Sequence, residues 1–194
     1  PPMPVADAQA FAFLSTRQSY PMKAMTGATP ARAELEPILT AALRVPDHGK
    51  LEPWRLIVLT RPDMARLADL AEARAREMGG DAEKIAKGRG QYDNGHLAVV
   101  VISAPVAAEK VPLAEQRLSA GALCMNLVNA ATAAGWGAAW LTGWPAHDAT
   151  FTARAFGCSG EETVAGIVHI GGRGPVAPDR PRPDLGRVVR WGLE

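Results

Sequence analysis

Arg44-Val45-Pro46-Asp47-His48-Gly49-Lys50-Leu51-Glu52-Pro53-Trp54 joins two elements of opposite periodicity. Ahead of it, Leu35, Ile38, Leu39, Ala42 and Leu43 recur at helical spacing. Behind it, residues 55–60 (Arg-Leu-Ile-Val-Leu-Thr) have the short apolar character of a buried strand. Two prolines and a group of ionisable side chains separate helix from strand, so the loop must be ordered and polar at once. Loops on rigid supports are where binding groups concentrate.

Outward from this join, Asp7 is the expected N-cap of a helix reaching about residue 17, with Ala10, Phe11 and Leu14 on one face. The helix before the loop ends near Arg44, and Pro37 puts its regular start only a few residues earlier. A helix is expected after Asp63, with Met64, Leu67, Leu70 and Ala71 inward and Gly79-Gly80 as its stop. Residues 81–96 are polar, contain glycine and show no period. Residues 97–102 (Leu-Ala-Val-Val-Val-Ile) give the strongest strand signal. A long helix rich in small residues spans 113–134. Strands at 138–142 and 163–170 flank a short helix at 150–156. Irregular crossovers and the lack of any repeat argue for an α+β domain with helices around a small sheet of four strands.

At 194 residues and 47% hydrophobic content the chain makes one domain, 1–194, with a substantial core. Residues 1–6 are expected to be disordered or an expression remnant, and 171–194 to form an extended arm. A net charge of +1 gives no support for nucleic-acid or membrane-surface binding. No signal peptide or membrane span is read, so a cytoplasmic setting is the expectation. Cys124 and Cys158 lack metal or redox spacing, and no metal site is expected. Arg173, Arg180, Arg182, Arg187 and Arg190 crowd the tail, either as a solvated surface or as a binding group.

No nucleophile elbow, zinc motif, dinucleotide fingerprint or P-loop occurs in its required context. No catalytic side chain is therefore assigned, and a cofactor that brings its own chemistry is favoured. Three blocks carry a resemblance: Arg17-Gln18-Ser19 after the first helix, Arg44-x-Pro46-Asp47-His48-(x)4-Pro53-Trp54, and the run 134–144 (Ala-Gly-Trp-Gly-Ala-Ala-Trp-Leu-Thr-Gly-Trp). In order and spacing they resemble the flavin-dependent nitroreductase family, most of all its compact YdjA-like branch.

That resemblance implies a nitroreductase-like fold with a mainly antiparallel four-stranded sheet and a C-terminal arm packing on the partner subunit. It implies a homodimer with FMN at the subunit interface, NADH or NADPH as reductant, and a small-molecule electron acceptor such as a nitroaromatic or quinone. Hydride transfer at flavin N5 would be ping-pong. FMN chemistry of a dehalogenase or oxidase type, or flavin binding without turnover, is the alternative. Arg17, Gln18 and Ser19 would meet the phosphate or ribityl chain. Trp140, Leu141, Thr142 and Gly143 would pass the ring. Arg44, His48 and Lys50 would reach the partner's flavin.

Gln18 departs from the family's usual second arginine, and Arg182, with Arg180 second, is expected to make up the charge. Each residue also has a plain reading. Arg17 and Ser19 also fit a solvated helix end, and His48 a loop histidine bonded to backbone. Trp136, Trp140 and Trp144 fit a core stripe, and Lys84, Lys87 and Arg89 a solvated face. Asp47 reads as a loop organiser.

Overall fold

The computed structural model describes residues 4–175 and 178–193. The chain runs α1 (Ala8–Thr16), α2 (Arg32–Ala42), β1 (Trp54–Leu59), α3 (Arg61–Glu77), α4 (Ala82–Asp93), β2 (Leu97–Ser103), α5 (Leu113–Ala133), β3 (Gly137–Leu141), α6 (Trp144–His147), α7 (Ala149–Phe156), β4 (Thr163–Gly171) and α8 (Leu185–Val188). Short 3-10 turns occupy Met22–Ala24 and His48–Lys50. The strands form one sheet in the order β1-β2-β4-β3, every neighbouring pair antiparallel. This is the expected α+β architecture.

β2 is buried along its whole length, which explains why its sequence is an unbroken apolar run rather than an alternation. Its residues feed two cores in turn. Ala98, Val100 and Ile102 join α3, α6 and α7 on one face, and Leu97, Val99 and Val101 join α2 and α5 on the other. Each fully buried side chain of the size of Ile102 or Leu127 contributes roughly 2 kcal/mol. The edge strands β1 and β3 are the ones left to position a site.

Three expectations change. Residues 82–93 form a helix, not a loop: Asp81 caps it by accepting from Lys84 N at 2.8 Å. Its contact with α6 is made by Gly88, where an added Cβ would lie 2.7 Å from the Trp144 ring, so no apolar period marks it. α3 begins before Asp63, which sits in its first turn and accepts from Thr60 N at 2.8 Å as the far half of a capping box. β4 runs to Gly171, and Thr26 bridges Gly172, so the arm starts after residue 172. Pro37 falls inside α2, whose second turn lacks that amide donor. Residues 1–3 of the expected disordered start, and 176, 177 and 194 of the arm, lie outside the described residues.

Candidate functional site

The loop at 44–54 is held by side chains as well as by its own backbone, where Lys50 N donates to Asp47 O at 3.2 Å and Trp54 N to Glu52 O at 2.7 Å. Asp47 spreads its carboxylate over two amides, Leu51 N at 3.1 Å and Glu52 N at 2.9 Å, the organiser's role expected of it. Those bonds support a run of left-handed backbone at Gly49, Lys50 and Glu52, with φ of 76°, 53° and 49°. Two of the three are not glycine, and such conformers cost about 1–2 kcal/mol each. Ser119 of α5 donates to Pro46 O at 2.6 Å and accepts from Trp54 Nε1 at 3.0 Å, tying both ends of the loop to one hydroxyl. Asn126 caps the end of α2, donating to Ala41 O at 2.9 Å and Ala42 O at 3.2 Å.

His48 is not bonded to backbone. Its Nδ1 lies 2.6 Å from Glu115 Oε2, with both side chains about half exposed. Arg44 and Lys50 are exposed, and their side chains make no hydrogen bond or ion pair among the described residues.

The other two blocks flank β3. Tyr20 N donates to Ala138 O at 2.8 Å, laying residues 17–20 along the free edge of that strand. Arg17 is the C-cap residue of α1, and its Nε is buried without a partner. Its guanidinium meets Ser19 Oγ only at 3.5 Å. Burial, and then the nearby charge of Arg182, push the Arg17 pKa down. Arg182 Nη2 lies 3.4 Å from Arg17 O and 2.7 Å from Asp179 Oδ1. The structure thus sets Arg182 against the Arg17 backbone, near enough for its charge to act on the Arg17 guanidinium, where the sequence lacks a second arginine at position 18. Arg180 makes no such approach. Arg17 and Gln18 also line a cavity of about 420 Å³ with Phe13, Tyr20, Trp136 and Arg173.

Trp140 is 40% exposed, yet its indole is fixed. A bulge in β4 skips Ala165, whose carbonyl accepts from Trp140 Nε1 at 3.1 Å. Gly166 is required there, since a Cβ would fall 2.1 Å from that nitrogen. Leu141, Thr142 and Gly143 follow half-buried, and Gly143 has φ of 100° with Gln91 packed against it.

The loop at 44–54 is not beside this group. It bonds to Glu115, Ser119 and Asn126, which share one side of α5, whereas Trp140 lies by Gly121 and Cys124. At about 100° per residue those are roughly opposite sides. One chain therefore carries two separate groups of candidate residues.

The profile of the nitroreductase family matches residues 15–172. The chain belongs to the nitroreductase family. It is 36% identical over 165 residues to a Haemophilus influenzae protein named "Putative NAD(P)H nitroreductase", covering 84% of this chain and 87% of that one. It is 31% identical over 142 residues to the Escherichia coli protein named "Putative NAD(P)H nitroreductase YdjA", covering 73% and 77%. Among solved structures, a variant of the FMN and NADPH-dependent nitroreductase NfnB from sphigopyxis superposes with a TM-score of 0.72 at 21% identity, covering 94% and 98%.

In this nitroreductase-family chain the remaining candidates take structural places. Trp144 donates to Lys84 O at 3.0 Å under α4, and Trp136 packs against the core, so both serve the interior. Lys84 lies over the Trp144 ring, Lys87 pairs with Glu83, and Arg89 is shared by Asp69, Glu72 and Asp93. Arg173 donates to Thr132 O at 2.7 Å and Trp136 O at 3.2 Å, pinning the start of the arm to the end of α5. Burial raises the Cys124 thiol to about 12, which makes it inert. No group of three metal-ligating side chains occurs among the described residues, and none of their helices is long and apolar enough to cross a membrane. Sequence reasoning missed Glu115, Ser119 and Asn126. Their signal was a set of polar residues at helical spacing along one side of α5.

Proposed function

We propose that this chain is an FMN-dependent NAD(P)H oxidoreductase acting as a homodimer, with nitroaromatics, quinones or related acceptors as substrates. The observation that carries this is the Arg17–Arg182 pair: two like charges held close, with the Arg17 Nε buried and unpartnered. Asp179 pairs with Arg182 but not with Arg17; an anion between the two groups would satisfy both. An FMN phosphate, with close to two negative charges, fits it. Ser19 adds a hydroxyl, and Gln18 an amide.

In this reading, residues 140–143 hold the flavin ring against a fixed strand, and the partner's Arg44, His48 and Lys50 close over it. FMN held there would supply the redox chemistry, hydride transfer from NADH or NADPH to an acceptor in ping-pong fashion. The protein binds, orients and keeps water out. Two features of one chain support dimerisation. The half-sites lie on opposite sides of α5, and apolar side chains are left uncovered: Phe11 and Leu14 on α1, Leu118 on α5, and Leu185, Val188 and Trp191 on the arm. The arm is proposed to pack on the partner.

The test is spectroscopic. The purified protein should take up FMN, lose its flavin absorbance on adding NADH or NADPH, and regain it with a nitroaromatic or quinone. Protein that binds no FMN, or bound FMN that neither nucleotide reduces, overturns the proposal.

A further inference from the structure

Resting on the flavin reading above, we propose that Glu115 is a positioning residue that acts on the cofactor pocket through His48, by fixing which ring nitrogen carries the proton. Glu115 Oε2 lies 2.6 Å from His48 Nδ1. A carboxylate only accepts, so Nδ1 must hold a hydrogen in either charge state of the ring. In neutral His48 the other nitrogen, Nε2, is then a bare acceptor, suited to a ribityl hydroxyl or the N3–H of a flavin. The alternative neutral tautomer, with Nε2–H as a donor, is forbidden while the carboxylate stays. Glu115 thereby sets both the direction of the ring and the sign of the hydrogen bond it offers.

The loop supports the same assignment. His48 sits at the start of the left-handed run that Asp47 holds in place, and Ser119, one turn beyond Glu115, anchors Pro46. Glu115 and Ser119 stand four residues apart on one face of α5, so a single helix fixes the backbone before His48 and the ring itself. Neither residue belongs to the blocks that carry the family resemblance. A purely structural role is the competitor: an acidic residue in the first turn of α5 also complements the helix dipole.

Two readouts separate these. In 15N-labelled protein without cofactor, the four histidines of the chain are resolvable, and His48 is assigned by its loss in His48→Gln. Wild type and Glu115→Gln, whose amide oxygen also accepts, should show the Nδ1–H tautomer; Glu115→Ala should revert toward Nε2–H. In FMN titrations Glu115→Ala should raise Kd about fivefold, the scale of one hydrogen bond. Glu115→Gln should restore it, and Glu115→Ala in a His48→Ala background should add nothing. A wild-type protein with an Nε2–H ring overturns the proposal, as does an equal Glu115→Ala effect with and without His48. Wild-type protein that takes up no FMN overturns the parent reading; one that binds FMN but fails these tests overturns this inference alone.

Discussion

The loop at 44–54 and the segment at 17–20 are built on opposite principles. The loop is strained but satisfied. Its left-handed residues are held by Asp47, its ends by Ser119, and its histidine by Glu115. The segment at 17–20 is unstrained but unsatisfied. Backbone pairing of Tyr20 with Ala138 lays it in place, and it then leaves a buried arginine nitrogen bare beside a second arginine. Stored strain with full internal bonding belongs to a surface preorganised before any ligand arrives. A half-buried cation with one bare nitrogen belongs to a surface completed by its ligand.

The largest expected effect tests whether a bare buried group always marks a site. His169 on β4 is 1% exposed, and neither ring nitrogen has a partner. Unlike Arg17 it lies deep in the sheet, beside Gly95 and Met64. Burial, and then the neighbouring His96, hold its pKa down at about 4. The unfolded chain therefore binds a proton that the folded one refuses between about pH 6.5 and 4. Folding stability should be full above that window and fall through it as pH drops, by about 3 kcal/mol in all. In His169→Leu, thermal unfolding measured across the same range should lose most of this slope.

Next comes the support of the loop. Asp47→Ala removes two charge-assisted bonds, one to the amide of Leu51 and one to that of left-handed Glu52, and should cost about 2–3 kcal/mol in denaturant unfolding. If Asp47→Ala unfolds like wild type, the strain is not held where the geometry puts it. Ser119→Ala frees Trp54 Nε1 and Pro46 O together, with an expected loss of about 1–2 kcal/mol. The same measurement checks it, and additivity with Asp47→Ala would show that the loop's two anchors are independent.

The fold was largely legible because β2 and α5 advertise themselves: one by apolar residues on every position, the other by length and small residues. α4 did not, because its two buried residues are Tyr92 and Gly88, too few to set a hydrophobic period, and a glycine leaves no trace in one. The site was legible as blocks. Arg17, the Pro-Asp-His loop and residues 140–143 are candidates that the sequence names, and Arg182 is a candidate chosen for the charge missing at Gln18. What could not be read was pairing over distance. Glu115 lies 67 residues from His48, and nothing local in either segment announces the other. Phe11 and Leu14 show the reverse case, an apolar face with nothing in its own chain to cover it.

The central claim is that Arg17 and Arg182 form a phosphate site, and comparing FMN with riboflavin isolates it, because the two ligands differ only in the phosphate. Wild-type protein should bind FMN far more tightly than riboflavin. Arg182→Ala should weaken FMN about tenfold or more, the scale of one charge-assisted contact, and leave riboflavin affinity unchanged. Equal losses for both ligands, or an unchanged preference for FMN, would contradict the account.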